Sequence, residues 1–228
     1  MKPIVLNNTP FKPNLTYLHK HLHVPDHPEA RKAFDDLAAE ATEIARPKAL
    51  YGLAAVEKHG EDFIMVENIR FESRVLSVNV KSLNRIFPFV ATCGVELVHW
   101  ADSISSDMLK KYYADAFKLA ALRAVTRRLE KEIKKQFDTG RISQMCPGSI
   151  SDWPIDQQRP LFDLLGETQS TVGVSLKSSM LMIPDKSESG FYFQNDSWFA
   201  SCQLCPVNNC PSRKAPFVEN LYGQKYKK

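Results

Sequence analysis

The stretch GVSLKSSMLMIPDKSESGFYF, residues 173–193, decides the fold of this chain. Residues 172–182 alternate between apolar and polar side chains, which predicts a strand. A second strand is predicted at residues 189–193, and residues 197–201 follow it as a hairpin partner or a further sheet segment. Successive strands without a helix between them are typical of antiparallel pairing.

The first hundred residues predict one helix and several short strands. The helix is expected at residues 26–44, with Asp26 placed to cap it and Pro47 to stop it. The predicted strands are residues 50–56, 63–66 and 87–92, of which the first two flank a turn at His59-Gly60. Residues 76–80 fit either a strand or a short helix.

A long helix is predicted from about Asp107 to Phe137, with an apolar stripe that includes Val125 and Leu129. The helices and the antiparallel-type strands are segregated along the chain and do not alternate strictly. The sequence therefore predicts the α+β class, with a twisted, mostly antiparallel sheet and long packed helices. We expect one domain over residues 1–228, with a helical and hairpin half at 1–140 and a ligand-pocket and cysteine half at 141–228. The basic tail, residues 220–228, is expected to fray.

The stretch 173–193 resembles the activation domain of cobalamin-dependent methionine synthase. It matches that family's pattern G-x-x-L-x-x-S-x-x-M-x-P-x-x-S-x-S-G-x-Y-F at fixed spacing. Upstream, Cys146-Pro147-Gly148 followed by Trp153-Pro154 fits the family in the same order. The resemblance covers roughly residues 140–200 and implies that this chain is a stand-alone member with the fold of that domain.

The resemblance also implies a ligand. In the family, the domain binds S-adenosylmethionine and supports the reductive methylation of an inactive cobalamin: cobalt(II) takes up one electron, and the methyl donor then traps the reduced cobalt. The expected cofactor-binding residues of this chain are Cys146, Pro147, Gly148 and Trp198.

Two positions of this chain depart from the family's donor turn. The family has an arginine three residues ahead of a Pro-Gly-Tyr. In this chain the position of the arginine is Gln144 and the position of the tyrosine is Ser149. The arginine supplies a charge-assisted hydrogen bond to the ligand carboxylate, and a glutamine does not match it. Trp198-Phe199 stands where the family has an aromatic pair that walls the pocket.

A cluster of cysteines, CQLCPVNNCP at residues 202–211, predicts a metal or iron–sulfur site. The pair Cys202 and Cys205 places two thiolates on one turn, and Cys210 is close enough in sequence to bind the same ion. Soft thiolates select zinc or an iron–sulfur cluster, and the spacing does not separate the two. The alternative is that these are three free thiols.

A four-thiolate site needs one more cysteine. Cys146 is the first choice, because its turn is expected to adjoin the same pocket, and Cys93 is the second. Pro206 and Pro211 follow ligand positions directly and are expected to stiffen the loop.

Composition and the apolar segments narrow the location and the partners. The apolar run at residues 86–98 is too short to cross a bilayer, and residues 1–15 contain no run of signal-peptide length. We therefore expect a cytoplasmic protein without a membrane partner. A formal net charge of only +4, without a known nucleic-acid-binding module, argues against a nucleic-acid partner.

Together these features predict a protein that reactivates a cobalamin-dependent methyltransferase, with methionine synthase as the expected one. It would support reductive methylation with S-adenosylmethionine or relay the electron. Its expected partners are the module that carries the cobalamin and an electron-donor protein. The alternative is a non-catalytic module that binds zinc or an iron–sulfur cluster and docks on a corrinoid protein. The sequence identifies no catalytic residue, so enzymatic activity is left open.

Overall fold

The computed structural model describes residues 1–7, 9–210 and 212–227. In these ranges the strands are β1 (Lys2–Leu6), β2 (Lys48–His59), β3 (Phe63–Val66), β4 (Ile69–Glu72), β5 (Arg85–Thr92), β6 (Ile142–Met145), β7 (Ser175–Leu176), β8 (Met182–Ile183) and β9 (Ser187–Gln194). The α-helices are α1 (Leu15–His21), α2 (Pro28–Ile44), α3 (Arg74–Asn79), α4 (Val95–Ser103), α5 (Met108–Phe137), α6 (Gln158–Leu165) and α7 (Thr168–Val172). Short 3₁₀ segments cover Ile155–Gln157 and Ser201–Leu204, and a π-helical turn covers Tyr222–Tyr226.

Seven of the described strands form one antiparallel sheet, and β7 and β8 pair separately. The sheet order is β4, β3, β2, β5, β9 and β6, with β1 also paired to β2. At its centre β5 pairs with β9, so that Phe87 lies opposite Tyr192. β6 pairs with the other side of β9, with Gln144 also opposite Tyr192. This arrangement confirms the predicted α+β class and its antiparallel sheet.

Helices bury both faces of this sheet, because the central strands carry large apolar residues on both sides. On β5, Phe87 and Phe89 pack among residues of α2, α4 and α5. Their neighbours Ile86 and Val90 point the opposite way and pack among residues of α3, α6 and α7. All four side chains are fully buried, and each such burial contributes about 1.5–3 kcal/mol to the free energy of unfolding.

The two longer predicted helices are confirmed, with one change of cap. Asp107 caps α5, since its carboxylate accepts hydrogen bonds from the backbone N–H groups of Leu109 and Lys110 at 2.9 and 3.1 Å. α2 is capped by His27 and not by Asp26, because the ring Nδ1 of His27 accepts from the backbone N–H of Ala30 at 3.2 Å. Among the described residues, no helix combines the length and the apolarity needed to cross a bilayer.

The continuous strand predicted at residues 172–182 is wrong. The α7 helix ends at Val172, Gly173 turns the chain with φ of 75°, and only the two-residue strands β7 and β8 form. The N–H of Lys177 donates to the carbonyl oxygen of Leu181 at 2.9 Å, which closes a tight hairpin. The alternating pattern therefore runs through a helix end and both arms of a hairpin, which sequence periodicity does not distinguish from one strand.

Two further predictions about the second half need correction. Residues 197–201 form no strand and make only an isolated bridge between Ala200 and Gln144. The predicted fraying tail is packed at one point: Tyr226 is buried, and its backbone carbonyl accepts from Nε of Arg74 at 3.0 Å. Lys228 lies outside the described residues.

Candidate functional site

Two adjoining cavities form one groove between the sheet, the α5 helix and the chain that follows β9. Their volumes are about 270 and 600 Å³, and the larger one lies in the range of small-molecule sites. The shared lining of the two cavities is polar and consists of Glu130, Gln144, Glu188, Tyr192, Ser212 and Lys214. The smaller cavity continues along aromatic and thiol side chains, and the wider one along the basic side chains of Arg123 and Arg127. We refer to the two together as the groove.

Gln144 is the centre of a hydrogen-bond network in the groove. Its Nε2 donates to Oε1 of Glu188 at 2.8 Å and to Sγ of Cys146 at 3.3 Å. Its Oε1 accepts from Nζ of Lys214 at 3.0 Å. A lysine ammonium only donates and a carboxylate only accepts, so these two partners fix the orientation of the amide. One amide side chain thus lies between a carboxylate and an ammonium group.

Strand alternation explains why these groups face the same way. On β9, Glu188, Gly190 and Tyr192 are two residues apart and share the face that α5 covers. Burial, followed by the nearby negative charge of Glu188, raises the pKa of Tyr192 well above its ordinary value. The Tyr192 phenol is therefore a neutral group at physiological pH.

Cys146 is held as a neutral thiol. Burial is the main cause that raises its pKa well above the ordinary value, and the neighbouring carboxylate of Glu188 adds to the effect. Lys214 and the hydrogen bond from Gln144 act in the opposite direction without outweighing them. A thiolate at this position would need an additional positive charge beside it, such as a bound cation.

The turn at residues 146–149 is closed by its own hydrogen bonds. The backbone N–H of Ser149 donates to the carbonyl oxygen of Cys146 at 3.1 Å, and Oγ of Ser149 donates to the same oxygen at 2.6 Å. The N–H of Gly148 donates to the carbonyl oxygen of Trp153 at 2.7 Å. Pro147 and Gly148 are not among the residues that line the groove, so their ligand-binding role stays a prediction.

The other two predicted cofactor-binding residues, Cys146 and Trp198, do line the groove. Trp198 is 41% exposed, and its backbone N–H donates to the carbonyl oxygen of Asn195 at 3.2 Å. Its neighbour Phe199 is buried, and its N–H donates to Oγ of Ser143 on β6 at 2.8 Å. The aromatic pair is therefore fixed to the same strand that carries Gln144.

The clustered cysteines surround one arginine. The guanidinium group of Arg213 donates to the carbonyl oxygens of Cys202 at 3.0 Å and Cys205 at 3.1 Å. The backbone N–H of Arg213 donates to the carbonyl oxygen of Cys210 at 3.1 Å. The guanidinium group also donates to the carbonyl oxygens of Val207 and Ala215. This hub holds the loop together through its backbone and leaves the sulfur atoms outside these contacts.

All five cysteines are free thiols, and they occupy different surroundings. Cys202 and Cys146 line the groove, whereas Cys205 and Cys210 do not. Cys93 is buried after the end of β5.

In the part of the chain that the structure describes, no group of three His, Cys, Asp or Glu side chains is arranged to hold a metal ion. The site predicted from Cys202, Cys205, Cys210 and Cys146, whether it binds zinc or an iron–sulfur cluster, therefore stays a prediction. Pro211, expected to stiffen this loop, lies outside the described residues.

Three polar residues of this region, Glu188, Arg213 and Lys214, were not predicted from the sequence. Glu188 had a usable signal, since it lies two residues before Gly190 and four before Tyr192 and so shares their face of the strand. Lys214 had none, because it contacts Gln144 across 70 positions of sequence.

Comparisons with known proteins bear on the fold. No family model matches this chain, and no curated protein matches it. Among solved structures, it is similar to the crystal structure of the MetH reactivation domain bound to AdoHcy (S-adenosylhomocysteine), with a TM-score of 0.65 and 16% sequence identity. The match covers 86% of this chain and 79% of that chain. The likeness confirms the activation-domain-like fold that residues 173–193 predict.

Proposed function

We propose that this protein reactivates a cobalamin-dependent methyltransferase and binds S-adenosylmethionine, the methyl donor, in the groove. The observation that carries this proposal is that the groove belongs to a fold shared with a reactivation domain whose structure contains AdoHcy. The family's donor turn and aromatic pair border it, through Cys146, Ser149, Trp198 and Phe199.

The groove has the mixed character that such a donor requires. Trp198, Phe199 and Tyr192 offer aromatic surface suited to an adenine ring. The charged network around Gln144 offers partners for an amino-acid group. A ligand with an aromatic end and a zwitterionic end would satisfy both parts of the lining.

The reaction proposed for the partner consists of a one-electron reduction followed by a methyl transfer. Cobalt(II) of the partner's cobalamin accepts one electron from an electron-donor protein. The resulting cobalt(I) takes the methyl group from S-adenosylmethionine, which leaves as S-adenosylhomocysteine. The part of this chain is to hold the donor against the cobalamin-binding module and to exclude water from it.

A reconstitution tests the proposal. The cobalamin-binding module of a methionine synthase without its own activation domain is prepared in the cobalt(II) state and mixed anaerobically with S-adenosylmethionine and titanium(III) citrate. We expect the visible spectrum of methylcobalamin to form only when this protein is added. Formation at the same rate without this protein, or no formation with it, would count against the proposed function.

A second candidate function is a non-catalytic module that docks on a corrinoid protein, and Gln144 and Ser149 favour it. Oγ of Ser149 is occupied by contacts within the turn and with Oγ of Ser201 at 3.2 Å, where the family has a tyrosine. Calorimetric titration separates the two candidates. The absence of heat at about 1 mM S-adenosylmethionine would favour the docking module. It would mean a Kd above about 1 mM, which corresponds to a binding free energy weaker than about −4 kcal/mol.

A further inference from the structure

The donor turn lacks a cation of its own, because position 144 is a glutamine. A carboxylate that leaves water for a partly enclosed groove loses its hydration, and this loss is large unless a charged partner replaces it. A ligand with an amino-acid end therefore needs a cation from elsewhere in the chain.

Lys214 brings a cation to this place from a distant part of the sequence. Its Nζ lies 3.0 Å from Oε1 of Gln144, and it lines both cavities of the groove. The segment is fixed independently of the ammonium group, since the backbone N–H of Lys214 donates to Sγ of Cys202 at 3.3 Å and the preceding Arg213 is the hub of the loop. A ligand can thus replace Gln144 as the partner of the ammonium group without release of the loop.

Glu188 supplies the opposite charge on the other side of the same amide. Its Oε1 accepts from Nε2 of Gln144 at 2.8 Å, and its side chain is partly buried in the lining shared by the two cavities. The second acid of the lining, Glu130, is already paired with Lys134 at 2.6 Å. Lys214 and Glu188 form a matched pair of charges, which is complementary to an α-amino acid zwitterion.

We propose that Lys214 binds the carboxylate, and Glu188 the ammonium, of the amino-acid end of S-adenosylmethionine and ligands of its class. This inference rests on the proposed function and names the residues that recognise the donor. Gln144 is then a positioning residue, whose amide holds the two charged side chains on either side of it. Because a lysine ammonium is a point charge, its contact with the carboxylate lacks the two-point geometry of an arginine.

Three related ligands separate the two contacts. S-adenosylhomocysteine carries both charged groups, its decarboxylated analogue S-adenosyl-3-thiopropylamine carries only the amine, and 5′-methylthioadenosine carries neither. For Lys214→Met we expect the Kd of S-adenosylhomocysteine, measured by calorimetry, to rise about tenfold or more, as for loss of a charge-assisted hydrogen bond. The Kd values of the other two ligands should stay within about twofold, because they have no carboxylate to lose.

Glu188→Gln tests the other half with the same ligands. It should weaken both ligands that carry the amine and leave 5′-methylthioadenosine unchanged. Lys214→Arg keeps a cation and should keep most of the affinity. Lys110→Met, at an exposed lysine in the first turn of α5 outside the groove lining, is the matched control and should change none of the three Kd values.

The outcomes distinguish this inference from the proposed function. If the unaltered protein binds S-adenosylhomocysteine and Lys214→Met binds it equally well, the assignment of Lys214 is wrong and the proposed function stands. Equal loss of all three ligands in Lys214→Met would mean that the lysine maintains the groove without recognising the carboxylate, which also overturns the assignment. If the unaltered protein binds none of the three, both the assignment and the S-adenosylmethionine-dependent function are wrong.

Discussion

Gly190 lies against Met145 so closely that a Cβ atom on the glycine would overlap the carbonyl oxygen of the methionine. The same Cβ would also approach Sγ of Cys146 to 3.1 Å. The obstacle is mainly backbone, which cannot move aside as the end of a flexible side chain does. The glycine of the Ser-x-Ser-Gly motif therefore sets the distance between β9 and the turn that carries Cys146.

We predict that Gly190→Ala lowers the free energy of unfolding by about 1–3 kcal/mol, the usual cost of overpacking, and weakens the binding of S-adenosylhomocysteine. Urea denaturation and calorimetry measure the two effects. Gly223→Ala is the matched control, because a Cβ there meets no atom within 4 Å. It should change the free energy of unfolding by less than about 0.5 kcal/mol. Equal stability of the two variants would show that the close approach does not constrain the turn.

Arg213 is predicted to hold the cysteine loop through its contacts with backbone carbonyl oxygens. Arg213→Met should destabilise the loop by about 1–3 kcal/mol, because several carbonyl groups, most of them partly buried, lose a charged donor. Hydrogen exchange should become faster at residues 202–210 and 212–215, while the central strands β5 and β9 stay protected. The exposed Arg159 on α6 gives the control variant Arg159→Met, which should leave exchange in the loop unchanged. Unchanged exchange in both variants would contradict the proposed role of the hub.

The cysteine cluster is predicted to bind a metal in the cell. Protein purified anaerobically should be brown, with the broad visible absorbance of a thiolate-ligated iron–sulfur centre and about four irons per chain. Ser substitutions of Cys202, Cys205 and Cys210 should each remove the colour. A colourless protein with one zinc ion would exclude the electron-relay role, and a protein without metal would contradict the prediction.

The fourth ligand is decided by a separate pair of variants. Cys146→Ser is expected to lower the metal content and Cys93→Ser to leave it unchanged, because Cys146 lines the groove with Cys202 whereas Cys93 is fully buried after β5. Metal analysis of both proteins is the measurement, and loss of metal only in Cys93→Ser would reverse the assignment.

Asp185 is predicted to make stability depend on pH and salt. Partial burial by itself would raise the pKa of its carboxyl group, but the ammonium groups of Lys118 and Lys186 outweigh this effect and lower it. Nζ of each lysine lies 3.3 Å from the carboxylate, and Lys118 belongs to α5. A lowered pKa in the folded state contributes stability above the unfolded pKa of about 3.9, and this stability is lost as pH falls through the folded value.

The Asp185→Asn variant should therefore be less stable than the unaltered protein by about 0.5 kcal/mol at pH 7, a small value because the side chain is half exposed. The difference should close as pH falls below about 3.9 and should shrink in high salt. Urea denaturation at several pH values measures it. Asp163→Asn, at an exposed position of α6, is the control. A difference for Asp185→Asn that persists unchanged at low pH would show that its origin is not the ion pairs.

Local sequence patterns predicted the elements that are determined within one segment of the chain. Asp107 and the apolar stripe of α5 are encoded within a few turns of helix, and the structure confirms both. Residues 172–182 show the limit of such patterns, since the same alternation fits one strand or a hairpin with a helix end. The choice depends on Gly173, whose positive φ turns the chain.

The sequence by itself determined the antiparallel strands, the long helix and the activation-domain-like fold, because periodicity and motif spacing are properties of neighbouring residues. Only the tertiary structure placed Lys214 beside Gln144 and arranged the loop around Arg213. It also buried Tyr226 in the core between the sheet and its helices. Each of these contacts joins residues from different segments, or depends on the path of an irregular loop. No local pattern encodes such a path, because it results from the packing of the whole chain around the sheet.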